Sequence, residues 1–256
     1  MGGATKRQGF KSSTAQLLVT AGTKEAVGAA EPCQFHPQLP SIPSRVAIAA
    51  ILPRLPEPCL EREHKIFRGI ETISNAKWCH EDKTSEIQSI FFNRRYAYLF
   101  DQMPSGWRRY FHGTKRACHV GGSDGYLELC NGPACSLCRI LTGGFKMTSA
   151  GSRRYAPMFG RGIYSTSVSS KADKYAMNHH IRSRLHGIIL CLVFIGTFEK
   201  LHQADQWKTA PAEGCDSVMG ATVNDGGSRR YTEAVVYRES SIIPIGLIMY
   251  TRTGRK

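Results

Sequence analysis

Ile188-Ile189-Leu190-Cys191-Leu192-Val193-Phe194-Ile195 is an unbroken apolar run. It has the length of a strand, and no apolar run in the chain reaches the roughly 18 residues that a membrane-spanning helix requires. Strict apolar–polar alternation would mark a strand with one wet face. Here no position is polar, which marks a strand covered on both faces. Further along the chain, Glu233–Tyr237 (EAVVY) and Ile242–Tyr250 read as two more strands, the second with Pro244 near its start. Before the run, Lys171–Arg184 (KADKYAMNHHIRSR) reads as a helix capped by Ser169 or Ser170. Ser85–Phe100 (SEIQSIFFNRRYAYLF) reads as another, because Ile87, Ile90, Phe91, Arg94 and Tyr98 recur at three- and four-residue steps. Helices interspersed with strands, with much of the sheet late in the chain, make an α+β domain.

The first part of the chain has a different texture. Prolines at 32, 37, 40, 43, 53, 56 and 58 interrupt any long element, so residues 1–65 are expected to be a poorly ordered, basic and proline-rich extension, with the folded domain over 66–256. The chain carries 34 Lys and Arg against 20 Asp and Glu, a formal charge of +14. That excess fits a polyanionic partner, whether nucleotide, nucleic acid or anionic membrane face, and equally a diffusely basic surface. Nine cysteines cannot all pair, and the first residues lack a continuous hydrophobic leader. Both point to a reducing, intracellular setting, nuclear or cytoplasmic. Met1–Lys24 is basic and Ser/Thr-containing like a mitochondrial address, but an ordinary basic tail is the favoured reading.

Three segments carry chemistry: Phe111-His112-Gly113-Thr114, Phe159-Gly160-Arg161-Gly162-Ile163-Tyr164, and Thr232-Glu233-Ala234-Val235-Val236-Tyr237. Each alone is weak, since a His before Gly, a Gly-x-Gly turn and a Glu at a strand start are most often structural. In this order, with Ser169–Tyr175 and Asp216-Ser217-Val218-Met219-Gly220 between them, they resemble the catalytic domain of the poly(ADP-ribose) polymerase family. The resemblance spans about Arg68 to Thr251. It implies the ADP-ribosyltransferase fold, two packed antiparallel sheets with flanking helices. It also implies NAD as substrate, cleaved to nicotinamide with ADP-ribose passing to an acceptor. A protein acceptor is favoured, with nucleic acid left open by the basic charge.

The resemblance also implies roles. Tyr164 and Tyr175 would sandwich the nicotinamide ring, where stacking and cation–π attraction add about 0.5–2 kcal/mol each. Gly113, next to Thr114, would let the backbone bond the carboxamide, His112 would hold a ribose hydroxyl, and Glu233 would accept from the ribose 2′-hydroxyl and stabilise the developing oxocarbenium ion. One departure stands out. The family often places a Ser directly after the Lys of the helix start, but Lys171 is followed by Ala172, so that contact is lost or passes to Ser170 or Ser169. Arg153 and Arg154 occupy the place of the family's donor loop and would face the pyrophosphate, or else lie in a solvated basic loop. A module that binds NAD, ADP-ribose or nucleic acid without turnover is the competing reading.

Cys118, Cys130, Cys135 and Cys138 form a separate group with intervals of 11, 4 and 2 residues. Four thiolates would make a closed tetrahedral zinc site. Unpaired structural thiols and a redox pair are the alternatives. A metal there would brace the donor loop rather than perform chemistry.

Overall fold

The computed structural model describes residues 60–81, 83–122, 127–150 and 157–254. The expected extension lies outside the described residues as far as residue 59, and so do Arg153 and Arg154. The run that opens the sequence reading becomes β6 (Leu185–Phe194), an inner strand. Its sheet has the order β1 (Lys83–Phe92), β10 (Ile242–Gly254), β6, β2 (Trp107–Gly113), antiparallel throughout. The side chains of β6 alternate between two cores. Ile188, Leu190, Leu192 and Phe194 join α1 (Lys65–Ala76) on one face, while Ile189, Cys191 and Val193 join the second sheet on the other. That division explains the missing polar positions.

The second sheet has the order β4 (Ile163–Ser165), β9 (Glu233–Val236), β8 (Ser217–Gly220), β7 (Phe198–Leu201). Ile163, Ala234 and Val236 from this sheet share a core with Leu247 and Met249 of β10. The two packed sheets of the expected α+β architecture are therefore present, with two refinements: β7 and β8 run parallel, and β3 (Lys115–Arg116) forms a small parallel ribbon with β5 (Met177–Asn178). Among the described residues no helix is long and apolar enough to cross a membrane.

Two helix expectations are corrected. Ser85–Phe100 is β1 followed by a 3₁₀ segment, Arg94–Phe100. A bulge between Ile87 and Ser89 shifts the register by one residue, so Ile87, Ile90 and Phe92 all reach the same core although the first two are three apart. The bulge thus counterfeits helical spacing inside a strand. Lys171–Arg184 shrinks to α3 (Ser169–Asp173) and β5, and neither serine caps it; the N-cap position is Val168, with no side-chain bond. Pro244 sits in β10, an inner strand, where the irregularity between Pro244 and Gly246 spares the ladder the donor that proline lacks.

The short helix α3 is fixed mostly through Asp173. This buried carboxylate accepts from Arg252 Nε at 2.6 Å and from the Tyr250 hydroxyl, and it meets His80 Nε2 at 3.1 Å. Removing one member of a buried charged network leaves the others desolvated, which costs about 3–5 kcal/mol. Asp173→Ala is therefore expected to lower unfolding free energy by about that amount in urea titrations. Lys65→Ala, which breaks an exposed pair with Asp101, should change it by less than about 1 kcal/mol.

Candidate active site

The two sheets meet where β2 ends. Phe111 N–H donates to Thr166 O at 2.7 Å and Thr166 N–H returns to Phe111 O at 3.0 Å, just beyond β4. Thr166 Oγ1 in turn donates to Thr232 O at 2.8 Å, the residue before Glu233. Alternation along β2 turns the N–H and C=O of Gly113 to the same side as those of Phe111, away from β6 and toward this junction. Thr114 is buried beside it.

His112, Tyr164 and Glu233 come together here with Lys171. His112 Nδ1 lies 2.8 Å from Tyr164 O, and because a carbonyl only accepts, Nδ1 carries a proton and donates it. The imidazole also stands edge-on to Phe145, with centroids 4.9 Å apart and planes at 85°. Tyr164 is locked through its hydroxyl, which accepts from Phe159 N–H at 2.8 Å and donates to Gly160 O at 3.0 Å. Burial holds its phenol well above the usual range. Gly160 makes that turn at φ +65°, and a Cβ there would lie 1.6 Å from Lys208 O.

Glu233, 8% exposed, pairs with Lys171, 9% exposed, at 2.8 Å. Burial lowers the Lys171 pKa, the carboxylate of Glu233 works against that, and the charges of Arg229 and Lys174 reinforce it. Sequence reasoning used the Ser-Lys helix start only as a marker and missed Lys171 as a member of the site. Its signal was the position of Lys171 four residues before Tyr175. Tyr175 stands across from Gly113: its Cβ would be 3.0 Å from a Cβ on that glycine.

Ser170 does not reach this group. Its hydroxyl accepts from Cys79 N–H at 3.0 Å and donates to Lys77 O at 3.5 Å, and Ser169 Oγ donates to Ser74 O at 2.6 Å. Both serines tie α3 to the end of α1, and neither replaces the hydroxyl that Ala172 lacks.

The four cysteines do converge. Their Sγ atoms all lie within 4.8 Å of one another, with Cys118 Sγ 3.7 Å from Cys135 Sγ and 3.5 Å from Cys138 Sγ. Four ligands about 2.3 Å from a zinc ion would stand about 3.8 Å apart at tetrahedral angles. Cys135 begins α2 (Ser136–Gly143) as its N-cap, and Cys138 lies in the first turn. Hydrogen bonds from the sulfhydryls of Cys118 and Cys138, and from Ala117 N–H at 3.3 Å, push the Cys135 thiol below its ordinary range. Beside them Arg116, 1% exposed, bonds only neutral groups among the described residues: Asn178 Oδ1, Val120 O, Ser183 Oγ and Leu185 O. Cluster and arginine could therefore hold a cation together with its four anionic ligands.

Close packing at the site gives a direct check. A Cβ at Gly113 would lie 1.8 Å from Ala172 O, backbone that cannot yield without moving α3. Gly113→Ala is expected to destabilise the protein by about 1–3 kcal/mol. Gly143→Ala, with nothing within 4 Å and in a helix, should stabilise it by about 0.5–1 kcal/mol. Denaturant titration of both variants reads the difference in sign.

Residues 133–253 match the family model described as the poly(ADP-ribose) polymerase catalytic domain. The match takes in Tyr164, Lys171, Tyr175 and Glu233, while His112 and Gly113 precede it. No curated protein matches the chain. Over residues 133–253 the chain is similar to the poly(ADP-ribose) polymerase catalytic domain, and its fold is of the ADP-ribosyltransferase kind.

Proposed function

We propose that residues 66–256 form an NAD-dependent ADP-ribosyltransferase that releases nicotinamide and passes ADP-ribose to a protein acceptor. The observation that carries this reading is the buried Lys171–Glu233 pair within the group formed by His112, Gly113, Tyr164 and Tyr175. A module that only binds nucleotide has no use for a buried carboxylate beside the sugar. The +14 charge supports a polyanionic substrate in general terms.

The chemistry assigns each group a task. The bond between ribose C1′ and the nicotinamide nitrogen breaks, and its electron pair leaves with the ring, which becomes neutral nicotinamide. The sugar passes through an oxocarbenium-like state. Gly113 N–H and C=O orient the carboxamide. Tyr164, immobilised by its hydroxyl bonds, offers a ring face to the departing heteroaromatic. The His112 Nε2 accepts from a ribose hydroxyl. Glu233, aimed by Lys171, accepts from the 2′-hydroxyl and its charge stabilises the cationic sugar. The acceptor's nucleophile then bonds to C1′ and its proton is released.

Glu233→Gln keeps the shape but removes the charge. It should lower turnover about 10²–10³-fold while NAD affinity stays within about tenfold. Incubation with adenine-labelled NAD, following nicotinamide and label on protein, reads both steps. Bound NAD with no nicotinamide from the wild type would leave a binding module instead. The ion pair adds a pH signature. Lys171 loses its proton at a pH below that of an ordinary lysine, so the alkaline fall of kcat/KM should come early. Lys171→Arg should move that fall upward, since a guanidinium stays charged.

We also propose that Cys118, Cys130, Cys135 and Cys138 hold one structural zinc ion. Sulfur separations of 3.5 and 3.7 Å suit tetrahedral thiolates. A buried guanidinium with no carboxylate partner among the described residues is costly to desolvate, and four thiolates on a divalent ion supply the net negative charge that offsets it. Elemental analysis of the purified full chain should find about one zinc per chain, and Cys138→Ser should lose it.

A further inference from the structure

His112 is bracketed by the cysteine group on two sides. Along the chain, β2 runs from His112 through Gly113 and Thr114 into β3, and Cys118 follows two residues after Arg116. Through space, α2 begins at Cys135 and ends at Gly143, and Phe145 beyond it sets its ring edge-on to the imidazole. Phe145 is buried in the same core as Cys135, Leu137, Cys138 and Leu141. The segment after it is pinned at its far end, where Met147 N–H donates to Glu239 Oε1 at 2.8 Å. Phe145 therefore hangs between one anchor at Glu239 and another at the sulfur cluster.

We infer that the four-cysteine centre positions His112 for the sugar of NAD, and that Phe145 is the positioning residue through which it acts. The inference rests on the zinc reading above. A metal bound by residues 118 and 138 closes the chain between them into a short loop. One end of that loop follows His112 along β2 and β3, and the other leads through α2 to Phe145, so closure restrains the imidazole's wall from both directions. The His112 Nδ1–H bond to Tyr164 O fixes one edge of the ring, and the Phe145 edge fixes its tilt. Without the metal, the α2 side of that wall loses one of its holds, while the core contacts of Phe145 and the tie to Glu239 remain. Nε2 then loses its aim at the ribose hydroxyl, an interaction of the size that changes affinity about tenfold.

The test compares three forms of the full chain: zinc-loaded wild type, wild type stripped with a chelator, and zinc-loaded Phe145→Leu. Three quantities are measured in each: zinc content, the His112 Cε1–Hε1 NMR resonance (assigned with His112→Asn), and the NAD concentration that half-saturates binding. Phe145→Leu should keep its zinc. Its His112 resonance should move in the same direction as in the stripped protein, and half-saturation should rise about tenfold. Phe145→Tyr, which keeps the ring edge, should restore both. If stripping unfolds the chain, the Leu and Tyr variants still decide the matter. An unmoved resonance and unchanged half-saturation in zinc-loaded Phe145→Leu overturn the inference, as does a chain that takes up no zinc. A chain that binds NAD but releases no nicotinamide contradicts the transferase proposal alone, because the resonance and the binding measurement stand apart from turnover.

Discussion

The ion pair between Lys171 and Glu233 is the constraint on which the site depends, because it joins a helix that leans on the first sheet to a strand of the second. A buried pair is a poor source of stability; desolvating both charges costs about as much as their attraction returns. The pair is nonetheless buried, with both residues under a tenth exposed. The five-residue α3 is too short to persist alone. Four separate ties hold it: Ala172 O under Gly113, Ser169 on Ser74, Ser170 on Cys79, and Asp173 on β10. Together they deliver one ammonium group to one carboxylate.

Strands that run through the interior were legible in the sequence. Ile188–Ile195, Glu233–Tyr237 and Ile242–Tyr250 all became strands, because burial on both faces leaves an apolar run that nothing else explains. Elements whose pattern depends on a distant partner were not legible. In β1 the bulge at Ile87 reproduced helical spacing, and only pairing with β10 reveals it. The second helix ends at Asp173, whose carboxylate is taken by Arg252 and Tyr250, 79 and 77 residues away. His180, at φ +60°, leaves helical geometry altogether. By contrast α1, which went unread, had a local signal in Ile66, Phe67, Ile70 and Ser74, all on its buried face.

The site was legible as order rather than as geometry. Motifs carrying His112, Gly113, Tyr164 and Glu233 follow one another as in a known family, and the fold brings them to one junction. What sequence order could not supply was the counter-charge at Lys171, the edge contact of Phe145 and the diversion of Ser170 to Cys79. Each is a contact across 62, 33 or 91 residues, respectively, set by packing rather than by spacing. The cysteine intervals singled out four residues, and the fold brings their sulfurs within 4.8 Å of one another.

The most direct measurement is a crystal structure of the full chain with a carbocyclic NAD analogue, which binds as NAD does but cannot lose its nicotinamide. The expected result places the ring between Tyr164 and Tyr175, the carboxamide on the backbone of Gly113, and the ribose 2′-hydroxyl on Glu233. An analogue that binds away from the Lys171–Glu233 pair, or not at all at millimolar concentration, would contradict the account.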